Sequence, residues 1–280
     1  MTLSDAAERL LKSGDPRAAL ARLQDDVRAK PSDAKLRVFL FQLLCVVCQW
    51  ERALTQLKVA CELDAQALAM AQVYGDAVRC EAIRTQVFAG ARSPMILGEP
   101  DEWLALLIES RLRAGRGEAA HSEDLRLRAF DLAPASRGDV DGRPFEWLAD
   151  ADSRLGPVLE AVINGRYYWV PFARISRIVL EAPADLRDLV WMPAQLLLEN
   201  GGESLALIPV RYAGSELAAD GAIALSRKTE WEEIAPDVFT GLGQRILATD
   251  AGESPLLDVR AISIAPGDDA AADGAGAGHE

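Results

Sequence analysis

The spacing of apolar residues changes once along this chain, near residue 135, and this change constrains the fold more than any other feature. Up to that point apolar residues recur every three or four positions, as Leu3, Ala7 and Leu10 do, which is typical of amphipathic helices. Beyond residue 144, short apolar runs alternate with turn residues. The two patterns predict an α+β protein, with a tetratricopeptide-like α-helical N-terminal part followed by a small antiparallel β-rich C-terminal domain.

The N-terminal part contains clear helix stop and start signals. The segment Ser13-Gly14-Asp15-Pro16 ends one helix and begins the next, because Gly is favoured just after a helix and Pro in a first helical turn. After the first helix, the periodicity predicts helices over residues 17–29, 34–49, 51–63 and 64–89.

A sequence repeat with a period of 34 residues runs through these helices. Five small or apolar positions have a counterpart 34 residues later: Leu10, Ala19, Leu20, Leu23 and Val27 correspond to Leu44, Ala53, Leu54, Leu57 and Cys61. Residues 103–134 contain a weaker copy of the pattern. Paired helices at this period are typical of tetratricopeptide repeats, with small residues where two helices approach. An ordinary helical domain with a chance repeat remains the alternative.

The turn-rich stretch from Ser136 to Pro144 predicts the domain boundary, so we expect a helical domain at 1–135 and a β-rich domain at 136–264. Asn164-Gly165 and Asn200-Gly201-Gly202 predict hairpin turns. We expect strands at the apolar runs 158–163, 167–172, 178–181, 194–199, 205–212 and 223–225, and one later helical stretch at 242–247. The acidic Ala/Gly tail, 265–280, is expected to be disordered.

The charge of the chain argues against two classes of partner. Of its 280 residues, 30 are basic and 43 acidic, for a net charge of −13, and nearly all of that excess lies in the second half. Nucleic acid and anionic membrane surfaces need clustered Lys and Arg, which neither half provides. The N-terminus lacks signal-peptide features and no apolar stretch reaches bilayer length, so the sequence predicts a cytoplasmic protein.

Two cysteines, Cys45 and Cys48, form a Cys-x-x-Cys pair, which in other settings binds metal or carries redox chemistry. A zinc site needs a second pair of ligands, and the two histidines, His121 and His279, do not supply one. Within a helix this spacing would place both thiols on one apolar face. We therefore expect core cysteines, with neither a metal nor a cofactor.

Two groups of carboxylates are the remaining candidates for catalysis. Asp150 and Asp152 lie next to the predicted domain join, and Thr229–Glu233 carries three glutamates, Glu230, Glu232 and Glu233. Such clusters can act as acid and base or bind a hard cation, but in an acidic domain they are usually solvated. Glycine-rich phosphate loops and a nucleophile elbow are missing from the sequence, and Lys228 stands alone. An enzyme with a carboxylate site at the seam between the domains is the alternative to a binding protein.

Large aromatic residues are expected mainly in the core. Trp50 and Trp103 belong to the helical part, and the other four tryptophans, which we also expect to be buried, are Trp147, Trp169, Trp191 and Trp231. The segment Asp185–Ala194 is either a docking or domain-packing loop, or a strand whose Pro193 ends a sheet edge.

The order of these segments resembles a known family. A repeat-like helical part precedes Arg174-Ile-Ser-Arg-Ile-Val-Leu-Glu181, then Asp185-Leu-Arg-Asp-Leu-Val-Trp-Met-Pro-Ala194 and Leu207-Ile-Pro-Val-Arg-Tyr212. This pattern resembles the ImpE/TagJ family, accessory proteins of bacterial type VI secretion systems, over about residues 1–262.

The resemblance implies a non-enzymatic cytoplasmic protein that binds an N-terminal helix of the small contractile-sheath subunit. It also implies an indirect link to the ATPase that disassembles the sheath. No catalytic, cofactor, metal or partner-binding residue transfers with it, so the partner-binding residues are unknown at this stage. The helical-repeat pattern of the sequence is compatible with this expectation, because stacked helix pairs form concave surfaces that commonly hold a peptide helix by its apolar stripe.

Overall fold

A computed structural model describes residues 5–266. The predicted disordered tail, 265–280, lies outside these residues except for its first two positions. The helices of the N-terminal part are α1 Asp5–Lys12, α2 Pro16–Ala29, α3 Ala34–Val46, α4 Trp50–Leu63, α5 Leu68–Phe88, α6 Glu102–Gly115 and α7 Ala119–Leu132. Within residues 5–266, no helix combines the length and apolar character needed to cross a bilayer.

Local capping explains where the early helices begin. The carboxylate of Asp15 accepts a hydrogen bond from the amide of Ala18 at 2.8 Å, and Pro16 occupies the first turn of α2. Asp33 caps α3 in the same way through the amide of Leu36 at 3.2 Å. Both caps satisfy helix N–H groups that have no partner inside the helix. The predicted break at Ser13–Pro16 is confirmed.

Successive helices from α1 to α5 pack against one another, as do α6 and α7, and small residues lie at close approaches. Ala19 on α2 and Ala53 on α4, which the 34-residue repeat pairs, are both fully buried. At the end of α6, the backbone of Gly115 lies so close to Gly90 that a Cβ on Gly90 would lie 2.8 Å from the Gly115 Cα. The predicted helical N-terminal part is therefore confirmed.

A nine-stranded sheet forms the centre of the molecule, in the order β1-β6-β5-β9-β8-β7-β14-β2-β3, with every pair antiparallel except β1 and β6. Its strands are β1 Met95–Ile96, β2 Gly138–Val140, β3 Arg143–Phe145, β5 Val158–Ile163, β6 Arg166–Pro171, β7 Ile175–Leu180, β8 Trp191–Leu198, β9 Glu203–Pro209 and β14 Ala261–Ile264. The mostly antiparallel β-rich part confirms the α+β class.

Two smaller sheets complete the β-rich part. One is a hairpin of β10 and β11, and the other has the order β13-β12-β4. Their strands are β4 Leu148–Asp150, β10 Thr229–Ala235, β11 Val238–Gly243, β12 Ile246–Thr249 and β13 Gly252–Pro255.

Both predicted hairpin turns are confirmed. Asn164 and Gly165 join β5 to β6 with φ of 50° and 72°, and two positive φ angles are what a two-residue turn of type I′ requires. Asn200-Gly201-Gly202 joins β8 to β9, with Gly201 at φ 80°. The predicted break at 136–144 itself contains a hairpin, in which Asp141 and Gly142 connect β2 to β3.

Two local predictions are wrong. The stretch 242–247, expected to be helical, belongs to β11 and β12, because Gly243 has a φ of 90° that a helix cannot hold and β11 pairs with β10. The run 223–225, expected to be a strand, lies on the short helix α8, Gly221–Ala224, and just beyond it, because the carboxylate of Asp220 caps the amide of Ala222. Both runs are short, and periodicity alone does not separate helix from strand at that length.

The large sheet is buried on both faces. Side chains of a strand point alternately to opposite faces, so the apolar run of β5 contributes to two cores. Val158 and Val162 pack towards the helices, and Leu159 and Ile163 pack on the other side. The helix-side core also takes in Trp169, Trp191 and Leu207, and thus joins residues from both parts of the chain.

Candidate functional site

A groove opens where the helices stop covering the large sheet. Its volume is about 660 Å³, and α5 forms one wall while β5, β9, β8 and β7 form the floor. We name it the sheet groove and define it by its apolar residues Val73, Val162, Val179, Leu205 and Leu207. A second depression of about 560 Å³ continues from it along β7, β8 and β9.

The strand alternation explains why the sheet groove is apolar. On β9, Leu207 points to the helix side and is buried under α5, and Leu205, two residues earlier, points to the same side. At Leu205 no helix lies overhead, and 75% of the residue is exposed. Val73 on α5 is exposed as well. Two large apolar side chains, one on the wall and one on the floor, therefore face solvent in one concave surface, which is unusual on a surface without a partner.

The charged residues at the groove rim are mainly acidic. Asp76 lines the groove from α5 and pairs with Arg79 at 2.6 Å, and Glu181 lines it from the end of β7. In the adjoining depression, Arg177 and Glu203 lie on opposite sides. A ligand with an apolar stripe and a few basic residues beside it fits these surroundings.

A buried network of charges lies at the seam between the helices and the sheet. At its centre Glu160, on β5, is fully buried and accepts two hydrogen bonds from Arg84 of α5, at 2.7 and 3.0 Å. Arg245 binds the second oxygen of the same carboxylate, and Tyr167 donates its hydroxyl to the first. Trp169 in turn donates its indole N–H to the Tyr167 oxygen at 2.8 Å. Every donor around Glu160 thus comes from a different segment.

The two arginines control the ionisation of Glu160. Burial by itself would raise the pKa of this carboxyl, but Arg84 and Arg245 outweigh burial and lower the pKa to about 2. Glu160 therefore stays ionised and forms ion pairs with two buried cations, which are also paired with Glu81 and Asp150. This group was not predicted from the sequence, although a single Glu in the apolar run Val158–Ile163 is a signal of a buried, paired carboxylate.

Asp150 and Asp152, expected on the surface, are buried instead, so that expectation is wrong. Asp150 pairs with Arg245, and Asp152 pairs with Arg154 and accepts the amide of Gly241 at 3.0 Å. Burial raises the pKa of Asp150 to about 6, against the opposing effect of Arg245. Buried ion pairs with this many hydrogen bonds hold segments together.

The glutamates of the Thr229–Glu233 segment behave as expected of a solvated cluster. Glu230, Glu232 and Glu233 are all exposed on β10. Lys228 pairs with Glu230 at 2.5 Å. These carboxylates lie on a different sheet from Asp150, so the structure does not bring the two acidic groups into one site.

The Cys-x-x-Cys pair is divided by the end of α3. Cys45 is fully buried within the helix, as predicted, but the helix ends at Val46, and Cys48 lies beyond it with a φ of 56°. The prediction that one helix face carries both thiols is therefore wrong. Arg211 donates to the carbonyls of Val46 and Cys45, at 2.5 and 3.2 Å, and so caps the helix end. Burial raises the pKa of both thiols, which keeps them protonated.

No alternative ligands surround these cysteines. Across residues 5–266, no group of three or more His, Cys, Asp and Glu side chains is arranged to hold a metal ion. All four cysteines are free thiols.

The tryptophans divide between core and surface. Trp103, Trp169 and Trp191 are buried, and Trp50 is half-buried against Trp191 with ring centroids 5.7 Å apart. The remaining two, Trp147 and Trp231, are 43% and 38% exposed, so the prediction that they are buried is wrong. Both lie outside the strands of the large sheet.

The segment Asp185–Ala194 packs the helices onto the sheet. Its first half is a short 3-10 turn, Leu186–Leu189, with Asp185 and Asp188 forming a capping box, and Arg187 lies over the ring of Tyr74 at 4.5 Å. Its second half enters β8, which lies between β7 and β9, so the prediction of a sheet edge at Pro193 is wrong. Pro193 lies one residue beyond the last β7–β8 pair, that of Leu180 with Ala194.

Comparisons with known proteins agree with this architecture. The family model described as ImpE protein matches residues 142–263. A type VI secretion system accessory component, TagJ, from Pseudomonas aeruginosa is 51% identical over 262 residues, which cover 94% of this chain and 92% of that protein. A crystal structure of a Vibrio parahaemolyticus protein has a TM-score of 0.85 at 26% identity, and the match covers 95% of this chain and 99% of the other. The chain therefore belongs to the ImpE/TagJ family.

Proposed function

We propose that this protein is a non-enzymatic accessory component of a type VI secretion system that binds an N-terminal amphipathic helix of the small contractile-sheath subunit. The name of the Pseudomonas aeruginosa relative supports the accessory role. The sheet groove supports the helix as ligand and carries the proposal. Through this contact the protein takes part in sheath assembly or recycling, with an indirect link to the disassembly ATPase, and it acts in the cytoplasm.

The groove has the shape and chemistry that helix recognition needs. An amphipathic helix inserts apolar side chains at i, i+3, i+4 and i+7 into a concave apolar surface. Val73 of α5 and Leu205 of β9 provide exposed apolar contacts, and Val179 of β7 and the buried Leu207 also line the groove. Basic residues beside the apolar stripe of the ligand would lie near Asp76 and Glu181.

The seam carboxylates support binding rather than catalysis. Asp150 and Asp152 are buried, and their oxygens already accept hydrogen bonds from Arg245, Arg154 and main-chain amides. A general acid or base must reach the proton that it transfers. The carboxylates of Asp150 and Asp152 use their hydrogen-bonding capacity within the protein, and this favours a structural function for them.

Calorimetry with a synthetic peptide of that helix from the cognate sheath subunit tests the proposal. A segment that folds as it binds must offset its own ordering, so we expect a Kd in the micromolar range. Leu205→Asp is the informative variant, because this residue is 75% exposed and its replacement costs little stability. Leu217→Asp is the matched control, since Leu217 is 86% exposed and lies outside the groove.

We expect Leu205→Asp to weaken binding at least tenfold and Leu217→Asp to leave it unchanged. Raising the salt concentration should remove only the part of the binding free energy that is due to Asp76 and Glu181, because screening acts on exposed charges and leaves apolar contacts unchanged. Equal affinity of Leu205→Asp and Leu217→Asp for the peptide would show that the helix binds outside the sheet groove. No heat and no thermal shift at hundreds of micromolar peptide would contradict helix capture itself.

A further inference from the structure

The strand edges of this protein differ in how they are protected. In the large sheet, the edge strand β1 has two residues, and the other edge strand, β3, has three, one of them Pro144. In the small sheet, β13 has four residues and ends in Pro255. Short strands and prolines prevent an edge from pairing with another chain.

The outer edge of β10 lacks both of these features, and its one irregularity is a register shift between Glu233 and Ala235, near the end of the strand. This strand has seven residues and no proline, and it pairs only with β11 among the described strands. Its five central residues are all exposed, including Trp231 and Ile234. Phe239, opposite Glu233 on β11, is also exposed. A row of main-chain donors and acceptors therefore faces solvent beside three large apolar side chains.

Hydrogen bonds and an aromatic contact fix the β10–β11 hairpin to the rest of the protein. The amide of Gly241 donates to the buried carboxylate of Asp152, and the amide of Phe239 donates to the hydroxyl of Ser153 at 3.0 Å. Trp231 packs on Tyr212 with ring centroids 5.4 Å apart. These contacts hold β11 against the body of the protein, so β10 is presented outward at a defined position.

The charge of β10 identifies the kind of strand that this edge can accept. Within the strand every charged residue is a glutamate, and of these Glu232 and Glu233 have no basic group within 4 Å among the residues described. Pairing with β10 of a second copy would bring glutamates together, and like charges on neighbouring strands are destabilising. A strand rich in Lys or Arg would gain from the same charges.

We propose that the outer edge of β10 binds a basic, extended segment of a partner protein by strand addition. Main-chain hydrogen bonds to β10 provide the pairing, Glu232 and Glu233 select basic side chains, and Trp231 and Phe239 add apolar contact. This surface is separate from the sheet groove, which lies on β5, β7, β8, β9 and α5. The inference therefore does not depend on the proposed function.

An NMR titration of the ¹⁵N-labelled full chain tests this proposal. The probe is an eight-residue peptide of alternating Lys and Val or Thr, acetylated and amidated, in low salt. We expect shift changes and slower hydrogen exchange confined to amides of β10 and its neighbours. Two further peptides carry N-methyl groups on either the odd or the even amides. Strand addition uses one of these two sets, so one methylated peptide must lose at least tenfold affinity relative to the other.

Paired charge reversals add a second test. Glu232→Lys with Glu233→Lys should weaken peptide binding at least tenfold, and Glu51→Lys with Glu62→Lys, the same charge change on exposed positions of α4, should leave it nearly unchanged. Equal affinity of the two methylated peptides would overturn strand addition. So would shifts that map away from β10, no binding at millimolar peptide, or a β10-dependent dimer of this chain in sedimentation.

Discussion

Glu160 is a single carboxylate that forms ion pairs with two buried arginines, Arg84 and Arg245, and we expect its replacement to be costly. In Glu160→Gln the side chain keeps its size but leaves both cations without their shared counter-charge. Breaking a buried pair from one side costs about 3–5 kcal/mol. Urea unfolding at pH 7 measures this loss. Glu232→Gln, on the exposed edge strand, should stay within about 0.5 kcal/mol of the wild type, and a loss below about 1 kcal/mol in Glu160→Gln would contradict the prediction.

Asp150 should make stability depend on pH in an unusual direction. Its pKa is about 6 in the folded protein, and an unperturbed Asp has a pKa near 4, so between these values the folded state binds more protons than the unfolded state. The contribution of this group to stability therefore falls as the pH rises from about 4 to 6. Asp150→Asn removes that titration.

Comparing the two proteins by urea unfolding at pH 4, 5, 6 and 7 measures the effect. The free energy of unfolding of Asp150→Asn minus that of the wild type should increase by about 2–3 kcal/mol across this range, since each pKa unit corresponds to about 1.4 kcal/mol. Glu160 contributes in the opposite sense, because its lowered pKa adds stability that is lost as the pH falls from about 4.5 to 2. Parallel pH curves would contradict the assignment to Asp150.

At the scale of the element, β11 depends on a close approach that only glycine permits. A Cβ on Gly241 would lie 2.2 Å from the ring of Tyr212, which is buried and bonded to the amide of Ile246. We expect Gly241→Ala to cost about 1–3 kcal/mol, because overpacking forces the strand or the ring to move. It should also shift the β10 resonances.

Gly75 on α5 provides a control, because Gly75→Ala is expected to raise stability whereas Gly241→Ala lowers it. A Cβ there would meet its nearest neighbours at 3.8 and 4.0 Å, which is ordinary contact. In a helix Ala is favoured over Gly by about 0.5–1 kcal/mol, so Gly75→Ala should raise the melting temperature. Destabilisation by both substitutions to a similar degree would show that the contact with Tyr212 is not decisive.

At the scale of the whole molecule, the helices and the large sheet share a core. Trp191 of β8 packs on Trp50 of α4, and Trp169 of β6 packs on Phe88 of α5, with ring centroids 5.7 and 6.2 Å apart. We expect fragments 1–135 and 136–266, produced separately, to lack sharp thermal transitions, because each would expose these aromatic surfaces to water. Co-expression should restore one cooperative transition, measured by circular dichroism. A sharp transition in either fragment alone would show that it is an independent domain.

The features that depend on neighbouring residues could be predicted from the sequence. Helical periodicity, the helix break at Ser13–Pro16, and the turn at Asn164-Gly165 rest on contacts within four positions, so they can be recognised in the printed chain. The order of helical and β-rich parts follows from the same local signals. The errors at 223–225 and 242–247 occurred where runs were too short to show a period.

Tertiary structure alone decided which polar residues are buried and where the surface is concave. Arg84 and Arg245 lie 76 and 85 residues from Glu160, and no local pattern reports such a meeting. Leu205 and Leu207 have the same character in the sequence, yet Leu207 is buried in the helix-side core and Leu205 is exposed. The reason is physical, because burial depends on which distant segment packs over a residue, and only the folded chain sets that distance.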